Sequence, residues 1–105
     1  MIRFDLSKRA RQDLAEIHAY VSSTASEARA DAVVREILKN IILLMDFPGA
    51  GPRRDEFGRG LRSLPVHSYL IFYRIRKGGV LVARVVHGAR DLDAVFKRPR
   101  RRKRG

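Results

Sequence analysis

The chain has 105 residues and carries 23 lysines and arginines against 11 aspartates and glutamates, a formal net charge of +12, with no cysteine. This length allows one domain, and the apolar fraction of 45% argues against disorder of the whole chain. The missing cysteines exclude a disulfide framework, a cysteine-ligated metal and a thiol nucleophile. Charges interrupt every apolar stretch before it reaches membrane-spanning length, and the first residues lack a signal-peptide pattern, so we expect a cytoplasmic protein without a membrane segment.

The first six residues and the segment that follows predict a strand and then a helix. Residues 2–6 alternate between apolar and charged side chains, which is typical of a half-buried strand. Ser7 is a candidate N-cap, because apolar residues then recur at spacings of four, three and four. We therefore predict a helix over about 8–22.

A second, longer helix is predicted directly after the first. Thr24 and Glu27 fit the capping-box pattern, in which a hydroxyl and a carboxyl satisfy backbone N–H groups at a helix start. Apolar residues recur at helical spacing over about 25–46, and Pro48 ends the pattern. So short a break between two helices predicts a hairpin.

The second half of the chain changes to the period of β-structure. Residues 53–60 are polar and contain glycine, which predicts a loop. Pro65 indicates an edge strand or a bulge, and Gly78 and Gly79 suit a tight hairpin turn. We predict three strands and a short terminal helix, over 61–66, 68–75, 80–87 and 89–96.

The order strand, helix, helix and three-stranded meander defines an α+β domain in which an antiparallel sheet packs on a helical hairpin. The strands over 68–75 and 80–87 are apolar on both faces, whereas antiparallel sheets usually leave one face in water. A helical hairpin can cover only one face. We expect a partner protein on the second face; the alternative is a strongly twisted sheet wrapped by the long helix.

Most of the excess charge lies at the C-terminal end. Seven of residues 97–105 are basic and none is acidic, so twelve minus seven leaves +5 for residues 1–96. We predict a folded domain over 1–96 and a disordered basic tail over 97–105. The tail suits nonspecific contact with nucleic acid or another polyanion, or it is a solvated end without a specific role.

Basic residues recur along the meander and offer the main candidate chemistry. Arg62, Arg74 and Arg84 lie on three different strands, and His87 and Arg90 lie at the end of the last strand. If the arginines converge they form an anion site, in which His87 could transfer a proton during RNA cleavage. The alternative is structural, with Arg74 paired to a carboxylate at the sheet rim: Asp55, Glu56 or Asp91.

The segment after the last strand has a distinct composition. Gly88 permits a sharp exit from the strand, and Asp91 is well placed to cap the terminal helix. The three histidines lack the spacing of metal ligands, so we predict neither a metal site nor a cofactor. Phosphate-binding loop and nucleophile-elbow motifs are missing from the sequence.

Two C-terminal motifs resemble the toxins of the RelE/ParE superfamily, and most closely the ParE or plasmid stabilization branch. They run from Arg62 to Ile75 and from Arg84 to Leu92. Leu6–Ala10 and Phe47–Gly49, which open and close the helical half, also fit the family. The likeness covers about residues 1–96, and the basic tail lies outside it.

The resemblance implies the toxin of a type II toxin–antitoxin system that causes growth arrest. A ParE-like toxin inhibits DNA gyrase by binding, and a cognate ParD-like antitoxin holds it inactive and would cover the second sheet face. The residues expected to bind target or antitoxin are Arg62, Arg74, Arg84, His87, Arg90 and Asp91.

Two alternatives remain open from the sequence. A RelE-like toxin is a ribosome-dependent mRNA endonuclease, in which Arg74, Arg84 and His87 would be catalytic. All three tyrosines of this chain precede the last strand, which departs from the C-terminal tyrosine of that branch, and we assign no catalytic residue. The other alternative is a nucleic-acid-binding or adaptor module that acts through the tail.

Overall fold

Two helices lie in sequence between the first strand of a four-stranded sheet and the other three strands. This computed structural model describes residues 3–97. In chain order the strands and helices are β1 (Arg3–Leu6), α1 (Lys8–Thr24), α2 (Glu27–Asp46), β2 (Leu61–Val66), β3 (Tyr69–Arg76), β4 (Gly79–His87) and α3 (Leu92–Val95), with a 3-10 turn over Asp55–Phe57 between α2 and β2. The predicted α+β order is confirmed.

Serine side chains start both long helices, but one of them is not the residue predicted. The Ser7 hydroxyl accepts a hydrogen bond from the Ala10 backbone N–H at 2.9 Å, which confirms the first cap. The second cap is Ser26, which accepts from Arg29 N–H, and the predicted Thr24 capping box is wrong. Thr24 is still part of α1, because its hydroxyl donates to the Tyr20 carbonyl one turn back.

The sheet is mixed, with strand order β1-β4-β3-β2. The three C-terminal strands form the predicted antiparallel meander, and Pro65 lies on an edge strand as expected. The sequence did not assign a neighbour to β1, which pairs with β4 in parallel up to Leu6 opposite Val82. A parallel pair needs a crossover connection, and the α1–α2 hairpin is part of that connection.

A one-residue bulge in β4 changes which side chains share a face. Tyr73 lies opposite Val82, but Phe72 lies opposite Arg84, so Ala83 is the extra residue. An even turn alone would put Arg74 and His87 on one face. The bulge reverses this assignment beyond Ala83, and His87 lies opposite Tyr69 instead.

The main core lies between the helical hairpin and one face of the sheet. α1 and α2 contribute buried aliphatic side chains, and β3 and β4 contribute the opposite layer. The largest fully buried side chains of this core are Ile37, Ile41, Leu44, Ile71, Tyr73, Val82 and Val85.

The second sheet face carries a smaller core that the chain itself covers. Phe72 is fully buried there, with the Phe57 ring at 6.1 Å and the Phe96 ring at 4.7 Å between centroids. Phe57 and Phe96 also stack on each other at 5.3 Å. The expectation that a partner must cover this face is therefore wrong at its centre, because the 3-10 turn and the segment around α3 cover it.

A buried tyrosine fixes the loop that follows α2. The Tyr73 hydroxyl donates to the Pro48 carbonyl at 2.6 Å and accepts from the Gly51 N–H at 3.0 Å. Arg62 Nη1 donates to the Gly51 carbonyl at 2.8 Å. A Cβ atom on Gly51 would lie 2.4 Å from the Ser63 carbonyl oxygen, so this position requires glycine.

Replacing Tyr73 with phenylalanine should therefore destabilise the protein. The substitution leaves a buried N–H and a carbonyl without their partner, which costs about 1–3 kcal/mol. Urea unfolding should show this loss for Tyr73→Phe and almost none for Tyr20→Phe, whose side chain is exposed. Equal stability of Tyr73→Phe and the parent protein would contradict the assigned role.

Candidate functional site

A buried carboxylate on α1 joins the helical hairpin to β4. Asp13 is 3% exposed, and its Oδ2 accepts from Arg84 Nε at 2.8 Å and from the Val85 backbone N–H at 2.9 Å. Arg84 Nη2 also donates to Oδ1 at 3.1 Å, which makes the pair bidentate. Arg9 Nη2 lies 3.6 Å from Oδ1 and adds a second positive charge.

Sequence reasoning missed Asp13, although a signal was present. Ala10, Leu14 and Ile17 define the apolar stripe of α1, and position 13 falls within that stripe by helical spacing. An acidic residue among core positions requires a buried partner, because an unpaired buried charge is strongly unfavourable. Arg84 is that partner, so its guanidinium is engaged inside the protein.

The three strand arginines do not converge. Arg62 lies opposite Tyr73 and binds the loop after α2, as described above. Arg74 is the next residue along from Tyr73, which places it on the other sheet face, and its Nε donates to the Arg59 carbonyl at 3.1 Å. Because Arg84 binds Asp13, each of the three arginines has a different partner. The anion site that was predicted for converging arginines therefore does not form.

Arg74 has a structural role, which was the alternative to an anion site. Its hydrogen-bond acceptor is the Arg59 backbone carbonyl and not the carboxylate that was expected. Asp55 binds Arg53 at 2.9 Å, and Glu56 binds Arg54 at 3.0 Å. The hydrogen bonds from Arg53 and from the Gly60 N–H hold the pKa of the Asp55 carboxyl below its ordinary value. These contacts organise the loop ahead of β2.

His87 and Arg90 are brought together in a groove beside α1, which we call the strand-end groove. Its volume is about 550 Å³, and it lies between the later part of α1, the end of β4 and the start of β3. The His87 ring packs edge-on against Tyr69 at 5.4 Å, and its Nδ1 accepts from the Ala89 N–H. Its walls are Asp13, Glu16, Ile17, Tyr20, Ser68, Tyr69, Val85, Val86, His87 and Arg90.

Two tyrosines give the strand-end groove its aromatic character. Burial raises the pKa of the Tyr69 phenol above its ordinary value, and the neighbouring phenol of Tyr20 adds to the shift. Each tyrosine therefore lines the groove with an aromatic ring and a hydroxyl group that can form hydrogen bonds. Asp91 lies just beyond the groove residues and caps α3 by accepting from the Ala94 N–H, which confirms its predicted structural role.

A second groove, the outer hairpin groove, lies on the other side of α1. Its volume is about 600 Å³, and the lining is mainly apolar. Ile42 is 49% exposed, and the His18–Asp31 contact of 2.8 Å links α1 to α2 across the groove. The lining residues are His18, Asp31, Val34, Arg35, Leu38, Lys39, Ile42 and Leu43. The sequence analysis did not identify this groove.

Two further properties limit the chemistry of residues 3–97. This part of the chain contains no group of three histidine or acidic side chains placed to hold a metal ion. None of its helices is both long enough and apolar enough to cross a membrane.

A helical hairpin packed on a four-stranded sheet of order β1-β4-β3-β2, with a groove on each side of α1, defines the class of this α+β domain. Residues 4–92 match the family model described as the ParE toxin of the type II toxin–antitoxin system, parDE. The chain belongs to this family.

One sequence relative agrees with this assignment, and one solved structure has the same fold. The chain is 30% identical over 91 residues to Toxin ParE1 of Caulobacter vibrioides, covering 87% of this chain and 94% of that protein. It also superimposes on a chain of the chromosomal ParDE TA system from P. aeruginosa with a TM-score of 0.72, covering 83% of this chain and 96% of the other. Sequence identity there is 18%, so this second likeness concerns the fold.

The contrast between Arg84 and Arg74 can be measured. Arg84→Met leaves the Asp13 carboxylate buried without its main partner, and we expect a loss of about 3–5 kcal/mol in the free energy of unfolding. Arg74→Met removes a more exposed hydrogen bond to a carbonyl and should cost about 1 kcal/mol or less. Denaturant unfolding of both variants measures the difference. Equal losses of stability would contradict a larger contribution of the Asp13–Arg84 contact.

Proposed function

We propose that this chain is a toxin that inhibits DNA gyrase by binding to it and is neutralised by a ParD-like antitoxin. The observation that carries the proposal is the family match over residues 4–92. The superimposed chain of the chromosomal ParDE TA system from P. aeruginosa has the same fold. Growth arrest through blocked DNA supercoiling is the expected consequence in a cell.

The antitoxin is proposed to lie on the outer hairpin groove rather than over the centre of the second sheet face. Phe57 and Phe96 already cover that centre. The outer hairpin groove instead presents Ile42 and Leu43, each about half exposed. An amphipathic helix can place its apolar face in such a groove, and Arg35 and Lys39 at the edge favour acidic side chains on the partner.

Gyrase binding is proposed to use those predicted site residues whose side chains remain exposed. Of the six residues predicted from the sequence, Arg62, Arg74 and Arg84 make internal hydrogen bonds, and Asp91 caps α3. His87 and Arg90 are exposed in the strand-end groove. The basic tail is proposed to add nonspecific attraction to nucleic acid; all of it except Lys97 lies outside the described residues.

No observation favours mRNA cleavage by a RelE-like mechanism. That chemistry was expected to combine Arg74, Arg84 and His87. Arg84 is bidentate on Asp13, and Arg74 binds the Arg59 carbonyl, so neither guanidinium is directed to a substrate phosphate near His87. Cleavage of mRNA is therefore the result that would contradict gyrase inhibition in the experiment below.

The test combines a supercoiling assay with neutralisation. Purified toxin in molar excess should block supercoiling by purified gyrase, and equimolar antitoxin should restore it. Ile42→Asp should still inhibit gyrase but need at least tenfold more antitoxin, because it places a charge in the outer hairpin groove. Ile75→Asp is the matched control, since Ile75 is 48% exposed on β3, and it should be neutralised like the parent.

Three results would go against the proposal. Undisturbed supercoiling at molar excess of toxin would exclude gyrase inhibition. Cleavage of mRNA in a translating extract, with gyrase unaffected, would establish the RelE-like alternative. Equal neutralisation of both variants would exclude the outer hairpin groove as the antitoxin surface.

A further inference from the structure

One edge of β4 is only partly paired. The first residues, Gly79–Val82, pair with β1 in parallel, and Ser7 continues the pairing by donating its N–H to the Val82 carbonyl at 2.9 Å. Beyond that point β1 has ended. The sheet order places no other strand of residues 3–97 on this side of β4.

Other groups of the chain satisfy part of this edge. The Ser7 hydroxyl donates to the Ala83 carbonyl at 2.8 Å, and Asp13 accepts the Val85 N–H at 2.9 Å. At the far end the Arg90 N–H donates to the His87 carbonyl at 3.0 Å. These three contacts satisfy backbone groups of β4 that a neighbouring strand would otherwise bind.

Two backbone groups between those places have no partner within residues 3–97. The Gly88 N–H donates to the Ser68 carbonyl at 2.8 Å, so the backbone groups of residues 86 and 88 face β3. By the alternation of an antiparallel ladder, those of Val85 and His87 face the other way. The Val85 carbonyl and the His87 N–H therefore lie on the side of β4 where α1 and the strand-end groove are.

The spacing of these two groups matches one residue of a parallel strand. In a parallel pair, a residue donates its N–H to the carbonyl before its neighbour and accepts from the N–H after it. The neighbour here is Val86, which is flanked by the Val85 carbonyl and the His87 N–H. An incoming segment would thus run parallel to β4, in the same direction as β1.

The side chains of the strand-end groove define the chemistry of such a segment. Tyr20 and Tyr69 offer aromatic surface to an apolar side chain, and Tyr20 is exposed. Arg90 is an exposed cation suited to a carboxylate. Glu16 also lines the groove, but Arg9 lies 3.5 Å from its carboxylate and offsets its charge.

We propose that the strand-end groove binds an extended, acidic peptide segment of the antitoxin, which pairs with β4 opposite Val86. This inference rests on the function proposed above. Charge favours it, since residues 1–96 carry a net charge of +5 even without the basic tail, and an acidic partner is attracted to them. The two grooves flank α1, with His18 lining one and Ile17 and Tyr20 lining the other.

Amide hydrogen exchange at single residues tests the backbone contact directly. The sample is the full-length chain, measured alone and saturated with its full-length antitoxin. The His87 amide should exchange at least tenfold more slowly in the complex, because it gains an acceptor. The Val85 amide is the internal control, since Asp13 already accepts its hydrogen bond, and its rate should change far less.

Substitutions test the side-chain contacts in the same complex. Arg90→Gln and Tyr20→Ala should each weaken antitoxin binding at least fivefold, as measured by titration calorimetry. Arg76→Gln is the matched control, because it removes an exposed arginine at the opposite end of β3, and it should change the affinity less than twofold. The circular dichroism spectrum of each variant verifies that it is folded.

The outcomes separate this inference from the proposed function. A complex with normal affinity, in which the His87 amide stays unprotected and Arg90→Gln has no effect, overturns the strand-end groove as the site and leaves the toxin–antitoxin pair intact. A failure of the two proteins to form any complex overturns both proposals. Protection of His87 together with the two selective losses of affinity establishes the site.

Discussion

The Asp13 carboxylate is the contact on which the arrangement of helices and sheet depends. It lies on α1 but occupies the edge of β4, where it accepts the Val85 N–H and both donors of the Arg84 fork. A buried carboxylate is tolerable only with such a full set of partners. Its position therefore fixes the approach of α1 to β4, beside the bulge at Ala83.

This arrangement also determines which cations are available to partners. A chain with an excess of 12 positive charges suggests a general nucleic-acid binder, yet three of the strand arginines hold the fold together. Exposed side chains line two grooves, one on each side of α1. An apolar groove and an aromatic groove with one cation are better suited to a protein partner than to a phosphate backbone.

Local patterns in the sequence predicted a large part of the fold. The Ser7 cap, the bounds of β2 at Leu61 and Val66, and the Asp91 cap all follow from rules that involve neighbouring residues. The prediction of Thr24 as a cap was wrong because Ser26, two residues later, also carries a hydroxyl suited to a helix start. Ser26 caps α2, and the Thr24 hydroxyl binds within α1.

The parts that sequence reasoning missed depend on tertiary contacts. The bulge at Ala83 reverses the faces of the last residues of β4, and no turn or glycine marks it in the sequence. Phe57 and Phe96 are far apart in the chain but meet over Phe72, so the cover of the second face was not predictable from strand periodicity. Asp13 was detectable as an acid in an apolar stripe, but its partner was not.

A double-mutant cycle between Asp13 and Arg84 measures the central contact most directly. The four proteins are the parent, Asp13→Asn, Arg84→Met and the double variant, each unfolded in urea. If the two side chains stabilise the fold as a pair, removing both costs less than the sum of the single losses, with a coupling of about 2 kcal/mol. Single losses that add to within about 0.5 kcal/mol would contradict the pairing, and with it the assignment of Arg84 to the interior.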